Sequence, residues 1–264
     1  MVGKALRMEL KSCKIGKLPV HVYETRGEMG AAAAKDGAER INRIIQEKGV
    51  ANVVFAAAPS QNELLEGLLE YDVDWTKVRG FHQDEYIGIG AEEPAGFGNF
   101  LRRAIFDKVP FKELHFLLCK PEEAAAKCEA YTKLLAEYPA DLIFLGVGEN
   151  GHLAFNDPAA ADFEDPKVIK VVDLDEACRQ QQVNDGCFAT LADVPRQAMS
   201  LTMSFIRSVP EIICVVPTVR KADAVEQALH GEISTVCPAS ILRRLDHAAL
   251  YLDRDSASKA FPEL

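Results

Sequence analysis

Short apolar runs alternate with longer amphipathic stretches along most of this 264-residue chain. Residues 18–23 read as an early strand. Residues 27–48 read as a helix whose alanines and Ile41, Ile44 and Ile45 gather on one side, with Gly49 as its stop. Residues 50–57 form an apolar run, the pattern of a strand buried on both faces. Helical patterning over 60–71, 97–106 and 121–138 then alternates with strand patterning over 78–83, 113–119 and 140–145. Further on, 168–172, 211–217 and 248–252 read as strands, and 221–230 as a helix closed by Gly231. This alternation predicts an α/β fold: an open, mainly parallel sheet flanked by helices on both faces, a Rossmann-like three-layer sandwich. No repeat, low-complexity tract or linker divides the chain, so residues 1–264 are expected to form a single domain. The least regular stretch, 158–166, follows a glycine-rich segment, a position suited to a lid.

Composition narrows the functions. A hydrophobic fraction of 48% is enough to fill a sizeable core. Thirty Lys and Arg against 40 Asp and Glu give a net charge of −10, which repels nucleic acid and anionic membranes. A phosphate site on such a protein has to be a local arrangement of amides and cations. Cys13, Cys119, Cys128, Cys178, Cys187, Cys214 and Cys237 form no C-x-x-C pair and read as the reduced thiols of a cytoplasmic protein. No run approaches the ~18 apolar residues of a membrane span. The N-terminus carries Lys4 and Arg7 but no apolar core of a secretory signal.

The candidate chemistry gathers at strand ends, where open α/β sheets bind ligands. The strand over 140–145 empties into Gly146, Gly148 and Gly151, followed at once by His152. Glycines there let the backbone approach a ligand closely, so Gly148 and Gly151 are candidate binding positions. Asp157, five residues on, can return to orient the imidazole, and a carboxylate–histidine pair is suited to general acid–base work near neutral pH. The spacing of Gly146, Gly148 and Gly151 also fits a dinucleotide fingerprint, but it lies past the chain midpoint and lacks the early-strand context. The strand over 78–83 delivers Asp84 and Glu85, of which one could shuttle a proton between neighbouring carbons. Ser60 and Glu63 have capping-box spacing, and the helix start at Ser60 and Gln61 offers amides to an anion. Lys221 opens a helix, where a cation opposes the dipole and suggests a nearby anion. Arg179 and Gln182, one turn apart, are further candidates to face a ligand. His21, His82, His115, His230 and His247 have no metal-ligand spacing, so no metal is expected.

The string GVGENGHLAFNDP at 146–158, with Asp84, Glu85, Tyr86, Lys221 and Ala222, resembles the glucosamine-6-phosphate deaminase family, which is grouped with the 6-phosphogluconolactonases. The resemblance runs in order from about Ala31 to Asp253. It implies a cofactor-free aldose–ketose isomerisation with loss of ammonia, turning glucosamine 6-phosphate into fructose 6-phosphate. Carried over by position, His152 assists ring opening, Asp157 orients it, and Asp84 moves the proton between C2 and C1. Asn150 stands where many members have Asp and others Asn, which removes one charge beside His152. Lys221 matches the family's phosphate-binding lysine. The family's Gly/Thr/Ser-rich phosphate turn is replaced by Ala58, Pro59, Ser60 and Gln61. An arginine expected in the helix after Asp175 has two partial matches, Gln182 at the aligned place and Arg179 one turn earlier. Members often assemble, so the resemblance is compatible with a homo-oligomer.

Three other readings compete. A lactonase of the same superfamily typically has Asp-Glu-Arg; here Tyr86 and the run from Ala154 to Asp157 favour the deaminase branch. Sugar-phosphate effector domains of transcription regulators resemble this fold but need a DNA-binding domain, and about 17 residues before the first predicted strand are too few for a helix-turn-helix, which leaves a stand-alone, non-catalytic sensor as the alternative. Deamination of an epimeric amino-sugar phosphate depends on atomic placement that motif spacing does not report.

Overall fold

The computed structural model describes residues 9–264; Lys4 and Arg7 lie outside the described residues. In chain order the elements are β1 (Glu9–Ile15), β2 (Leu18–Tyr23), α1 (Arg26–Lys48), β3 (Ala51–Phe55), α2 (Asn62–Leu68), β4 (Val78–His82), β5 (Asp84–Tyr86) and α3 (Phe97–Leu101). Then come β6 (Glu113–His115), α4 (Ala124–Glu137), β7 (Leu142–Leu145), β8 (Ile169–Asp173), α5 (Glu176–Asn184), β9 (Gln197–Leu201) and α6 (Met203–Ser208). The chain closes with β10 (Glu211–Val216), α7 (Ala222–His230), β11 (Ala248–Asp253) and α8 (Arg254–Ala257).

Eight strands form one sheet in the order β1-β2-β11-β10-β7-β3-β4-β6. Every pairing in it is parallel except β1 with β2. Along β3 and β7, Val54 and Ile143 face one layer of helices, while Val53, Phe55, Leu142 and Phe144 face the other. Alternate residues of one strand thus enter two separate cores, as a sheet covered on both faces requires. Helices α1, α2 and α3 contribute to one core, and α4, α6 and α7 to the other.

The predicted α/β architecture is the one observed. Seven of the predicted strands join the main sheet. The eighth, over 168–172, does not: it is β8, and with β5 and β9 it makes a small antiparallel sheet in the order β5-β9-β8. Strands β1, β5 and β9 escaped the pattern reading for physical reasons. β1 is a half-exposed edge strand without a buried apolar run, and β5 is three residues long with two carboxylates in it.

Local chemistry fixes the elements nearest the cavity. Thr25 caps α1 through Oγ1, which accepts from Glu28 N at 3.2 Å, while the Glu28 carboxylate accepts from Thr25 N at 3.1 Å. The capping box expected at Ser60 and Glu63 does not form. Glu63 instead pairs with Arg26 at 2.6 Å, and the chain enters α2 through a tight turn at Pro59–Gln61 without a side-chain cap. Helices α1 and α2 touch through small residues: a Cβ on Gly30 would lie 2.3 Å from Glu63 Cβ and 2.9 Å from its carbonyl carbon.

The order of the chain changes direction between β3 and β7. After β3 it proceeds outward to β4; after β7 it proceeds the other way, to β10. Loops leaving the carboxyl ends of these two adjacent strands diverge, and the crevice between them is where such sheets bind ligands.

The α1–α2 contact yields a paired prediction. Replacing Gly30 with Ala lowers stability by about 1–3 kcal/mol, because the added methyl meets the α2 backbone. Replacing Gly27 with Ala, whose Cβ meets nothing nearer than 4.0 Å, raises it by up to ~1 kcal/mol through helix propensity. Urea unfolding of the two variants checks both signs.

Candidate active site

A cavity of about 470 Å³ opens at the divergence of the β3 and β7 loops. Its floor is built from Ala56–Gln61 after β3, Gln83 and Asp84 at the passage from β4 to β5, and the 146–149 loop with His152 after β7. Thr218, Arg220 and Lys221 after β10, and Gln181, Gln182 and Asp185 of the α5 region, close one side.

Backbone constraints position the histidine. Gly148 N donates to His152 O and Gly151 N to Gly148 O, both at 3.0 Å, which curls the loop back on itself. The imidazole then lies so close over Gly148 that a Cβ there would stand 2.2–2.3 Å from three ring atoms. Gly151 has φ +83°, a left-handed conformation that side chains disfavour, and a Cβ on it would meet Cys237 Sγ at 2.5 Å. After the histidine, the buried Asn156 amide donates to Leu153 O and Leu201 O, fastening the segment to the small sheet.

His152 Nδ1 stands 2.8 Å from Asn150 Oδ1 and 2.9 Å from Asp157 Oδ1. The Asn150 amide donates to Asp157 at 2.7 Å, and Asn150 Oδ1 accepts from His152 N at 3.1 Å. Both neighbours of Nδ1 are therefore acceptors, so Nδ1 carries the proton in the neutral ring and Nε2 keeps its lone pair. Burial pushes the Asp157 carboxyl up, but the bonds from His152 and Asn150 outweigh it and hold its pKa below the usual value. The Cys178 thiol of α5 also lies against Asp157, and donor atoms of His152, Asp157 and Cys178 fall within 4.8 Å of one another. Burial, reinforced by the Asp157 charge, pushes that thiol far up.

Asp84 has a different environment. It is 5% exposed and makes no ion pair among the described residues. Burial raises its pKa to about 8, with the Glu85 charge adding to the rise and a hydrogen bond from Gln83 opposing it. Its neighbour Glu85 points away from the cavity. The Glu85 carboxylate accepts from Tyr86 N, Phe97 N and Gly98 N at 2.8–3.1 Å, which anchors the start of α3.

Lys221 is buried at 7% exposure, and its Nζ makes no hydrogen bond or ion pair among the described residues. Burial lowers its pKa, while the charges of Asp185 and Glu149 oppose that fall. Across the cavity, Ser60 and Gln61 stand beside Gly146, where a Cβ would meet Gln61 Nε2 at 3.0 Å and Ser60 Oγ at 3.1 Å. Two residues that are not glycine have positive φ, Ala154 at 52° and Thr218 at 80°, and both line the cavity. The Asp253 carboxylate holds Thr218 in that shape through the Thr218 amide at 3.0 and 3.1 Å.

Of the residues singled out from the sequence, Ser60, Gln61, Asp84, Gly148, His152, Gln182 and Lys221 line the cavity. Asn150 and Asp157 stand behind the histidine, and Gly151 shapes its loop. Glu85 and Arg179 do not reach the cavity: Arg179 donates to Leu191 O and Val194 O and ties down the segment after α5. The stretch 158–166 is not a lid either. Asp165 pairs with Lys170 at 2.7 Å, Arg207 holds Phe163 O, and none of its residues lines the cavity. Pro94, Ala95, Phe97, Phe100 and Arg103, after β5, border the opening instead. Sequence reasoning missed Arg26, Gln83 and Arg103. Only Arg26 left a signal, a cation in the first turn of a helix.

A family model described as glucosamine-6-phosphate isomerases/6-phosphogluconolactonase matches residues 24–251. The glucosamine-6-phosphate deaminase of Streptococcus suis (strain 05ZYH33) is 31% identical over 245 residues, 92% of this chain and 99% of that protein. The glucosamine-6-phosphate deaminase of Listeria welshimeri serovar 6b is 31% identical over 227 residues, 86% of this chain and 95% of that protein. A solved structure of a monomeric glucosamine-6-phosphate deaminase superposes with a TM-score of 0.80 at 25% identity, covering 91% of this chain and 99% of the other. A 6-phosphogluconolactonase from Shewanella baltica OS155 gives a TM-score of 0.73 at 16% identity over 91% and 100%, a likeness of fold.

The two basic candidates separate cleanly by titration calorimetry with a hexose 6-phosphate. Lys221→Ala is expected to weaken binding by about 1.5–3 kcal/mol, the worth of one charge-assisted contact. Arg179→Ala is expected to leave affinity within twofold while lowering stability. An unchanged affinity in Lys221→Ala removes that residue from the phosphate site.

Proposed function

The chain belongs to the glucosamine-6-phosphate isomerase/6-phosphogluconolactonase family, and within it we propose that it is a glucosamine-6-phosphate deaminase that yields fructose 6-phosphate and ammonia. The observation that carries this reading is that two groups able to move protons, the buried Asp84 carboxyl and His152, line one cavity. Lactone hydrolysis needs one base to activate water. Aldose–ketose isomerisation needs a second group that can both take and return a proton, and a carboxyl titrating near the working pH does so best. The deaminases cited above, at 31% identity, support the same branch.

In the proposed reaction His152 Nε2 takes the proton of the anomeric hydroxyl and returns it to the ring oxygen as the C1–O5 bond opens. Asn150 and Asp157 hold the ring through Nδ1. Asp84 then removes the C2 proton from the open-chain aldehyde while a proton of the C2 ammonium group passes to O1, giving an enolamine, and delivers the carbon-bound proton to C1 as the freed nitrogen lone pair forms a C2 iminium. Water adds to C2 and ammonia leaves. The phosphate is assigned to Lys221, the Ser60 and Gln61 turn and Gln182, with Gly148 admitting the His152 ring against the main chain.

The proposal includes a cytoplasmic location. It is supported by seven unpaired cysteines, which suit a reducing compartment. Among the described residues no helix is long and apolar enough to cross a membrane.

Purified protein is expected to release ammonia from glucosamine 6-phosphate without added metal or nucleotide. The base form of Asp84 is the ionised one, so kcat/KM should rise as pH climbs through about 8. Turnover of 6-phosphogluconolactone in place of glucosamine 6-phosphate would transfer the chain to the lactonase branch. Binding of both without turnover would favour a sensor.

A further inference from the structure

Gln83 lies between β4 and β5, directly before the proposed base, and lines the cavity. It is 3% exposed, and its Oε1 is buried without a hydrogen-bond partner from the protein. The other end of the amide is committed, because the Gln83 side chain hydrogen-bonds the Asp84 carboxyl. An ionised carboxylate only accepts, so the end facing Asp84 is Nε2, and Oε1 is left as a bare acceptor. Gln83 O accepts from Leu201 N at 3.2 Å, which pins this backbone to the small sheet. Buried polar atoms in native proteins are paired, and an orphan acceptor in a cavity wall calls for a donor on the ligand.

We propose that Gln83 Oε1 accepts a hydrogen bond from the amino group at C2 of the substrate, which makes Gln83 a specificity-determining residue and a positioning residue for Asp84. This rests on the deaminase reading. Asp84 acts at C2, and Gln83 is bonded to Asp84, so the donor within its reach is the substituent of that carbon. A protonated amino group carries donors alone and matches a lone acceptor. Once ammonia has left, C2 bears a carbonyl oxygen. Two acceptors then face each other, and the contact that favoured the substrate disfavours the product. Through Nε2 the same side chain favours the ionised form of Asp84 and offsets part of the rise that burial causes.

The test is Gln83→Met, which keeps the length of the side chain and removes both polar atoms. The KM for glucosamine 6-phosphate is expected to rise about tenfold or more, the worth of one buried hydrogen bond. The inhibition constant of 2-deoxyglucose 6-phosphate, which lacks the amino group, should stay within twofold. The pH limb of kcat/KM should move to higher pH, because Asp84 loses a donor. Equal losses for the two ligands, no loss for either, or an unmoved limb would overturn the proposal. If Gln83→Met does not fold, Gln83→Glu keeps the acceptor and removes the donor. It should retain the preference for the amino sugar while the limb moves up, and an unmoved limb there is equally contrary. A wild type that binds both sugar phosphates but releases no ammonia defeats the deaminase reading instead. Gln83 is then judged by calorimetry, from the difference between the two ligands.

Discussion

Everything proposed for this protein depends on one carboxyl group held out of water without a countercharge. Asp84 sits where the chain leaves the large parallel sheet and enters the small antiparallel one, so it is walled by both. Burial is the main cause that lifts its pKa to about 8, with the Glu85 charge adding to it. A surface aspartate would stay ionised at every physiological pH and would return a proton reluctantly. An aspartate paired with a lysine would be locked further in the ionised form. Desolvation instead makes it a group that can hold and release a proton at the same working pH.

Around that group the fold supplies fixed backbone. The reversal of strand order between β3 and β7 opens the crevice, and the loops leaving those strands fill it with small residues and amides. Gly148 brings the histidine ring against the main chain, and the two acceptors at Nδ1 leave Nε2 with its lone pair. Asn150 bridges the imidazole and Asp157, so an amide completes a network that a second carboxylate would load with another negative charge. Lys221, buried without a partner among the described residues, is the place proposed for an anion in this acidic protein.

Much of this was legible in the sequence because the signals are local. Apolar runs mark strands buried on both faces, and they identified seven strands of the main sheet. Three glycines before a histidine at a strand end mark a loop that must come close to something. Features made by distant parts of the chain were not legible. Ser60 and Glu63 have capping-box spacing, yet Arg26, far away in sequence, takes Glu63 for an ion pair. Arg179 looked free to meet a phosphate, but two carbonyls 12 and 15 residues on occupy it. Glu85 looked equivalent to Asp84 until three backbone amides, that of Tyr86 and two at the α3 entrance, claimed it. Gln83 carried no motif, and its importance appears only once its orphan oxygen is seen.

Burial is the largest influence on the titration of Asp84, and stability against pH tests this most directly. In the folded protein its pKa is raised above the unfolded value, so its contribution to stability is present below about pH 4 and lost as pH rises through about 8. Asp84→Asn removes that loss. By urea unfolding, the variant should match the wild type near pH 4 and exceed it near pH 9 by on the order of several kcal/mol. Equal stability at both pH values, or a variant weaker than wild type only at high pH, would mean that Asp84 is ionised and satisfied in the folded protein, and would contradict the account.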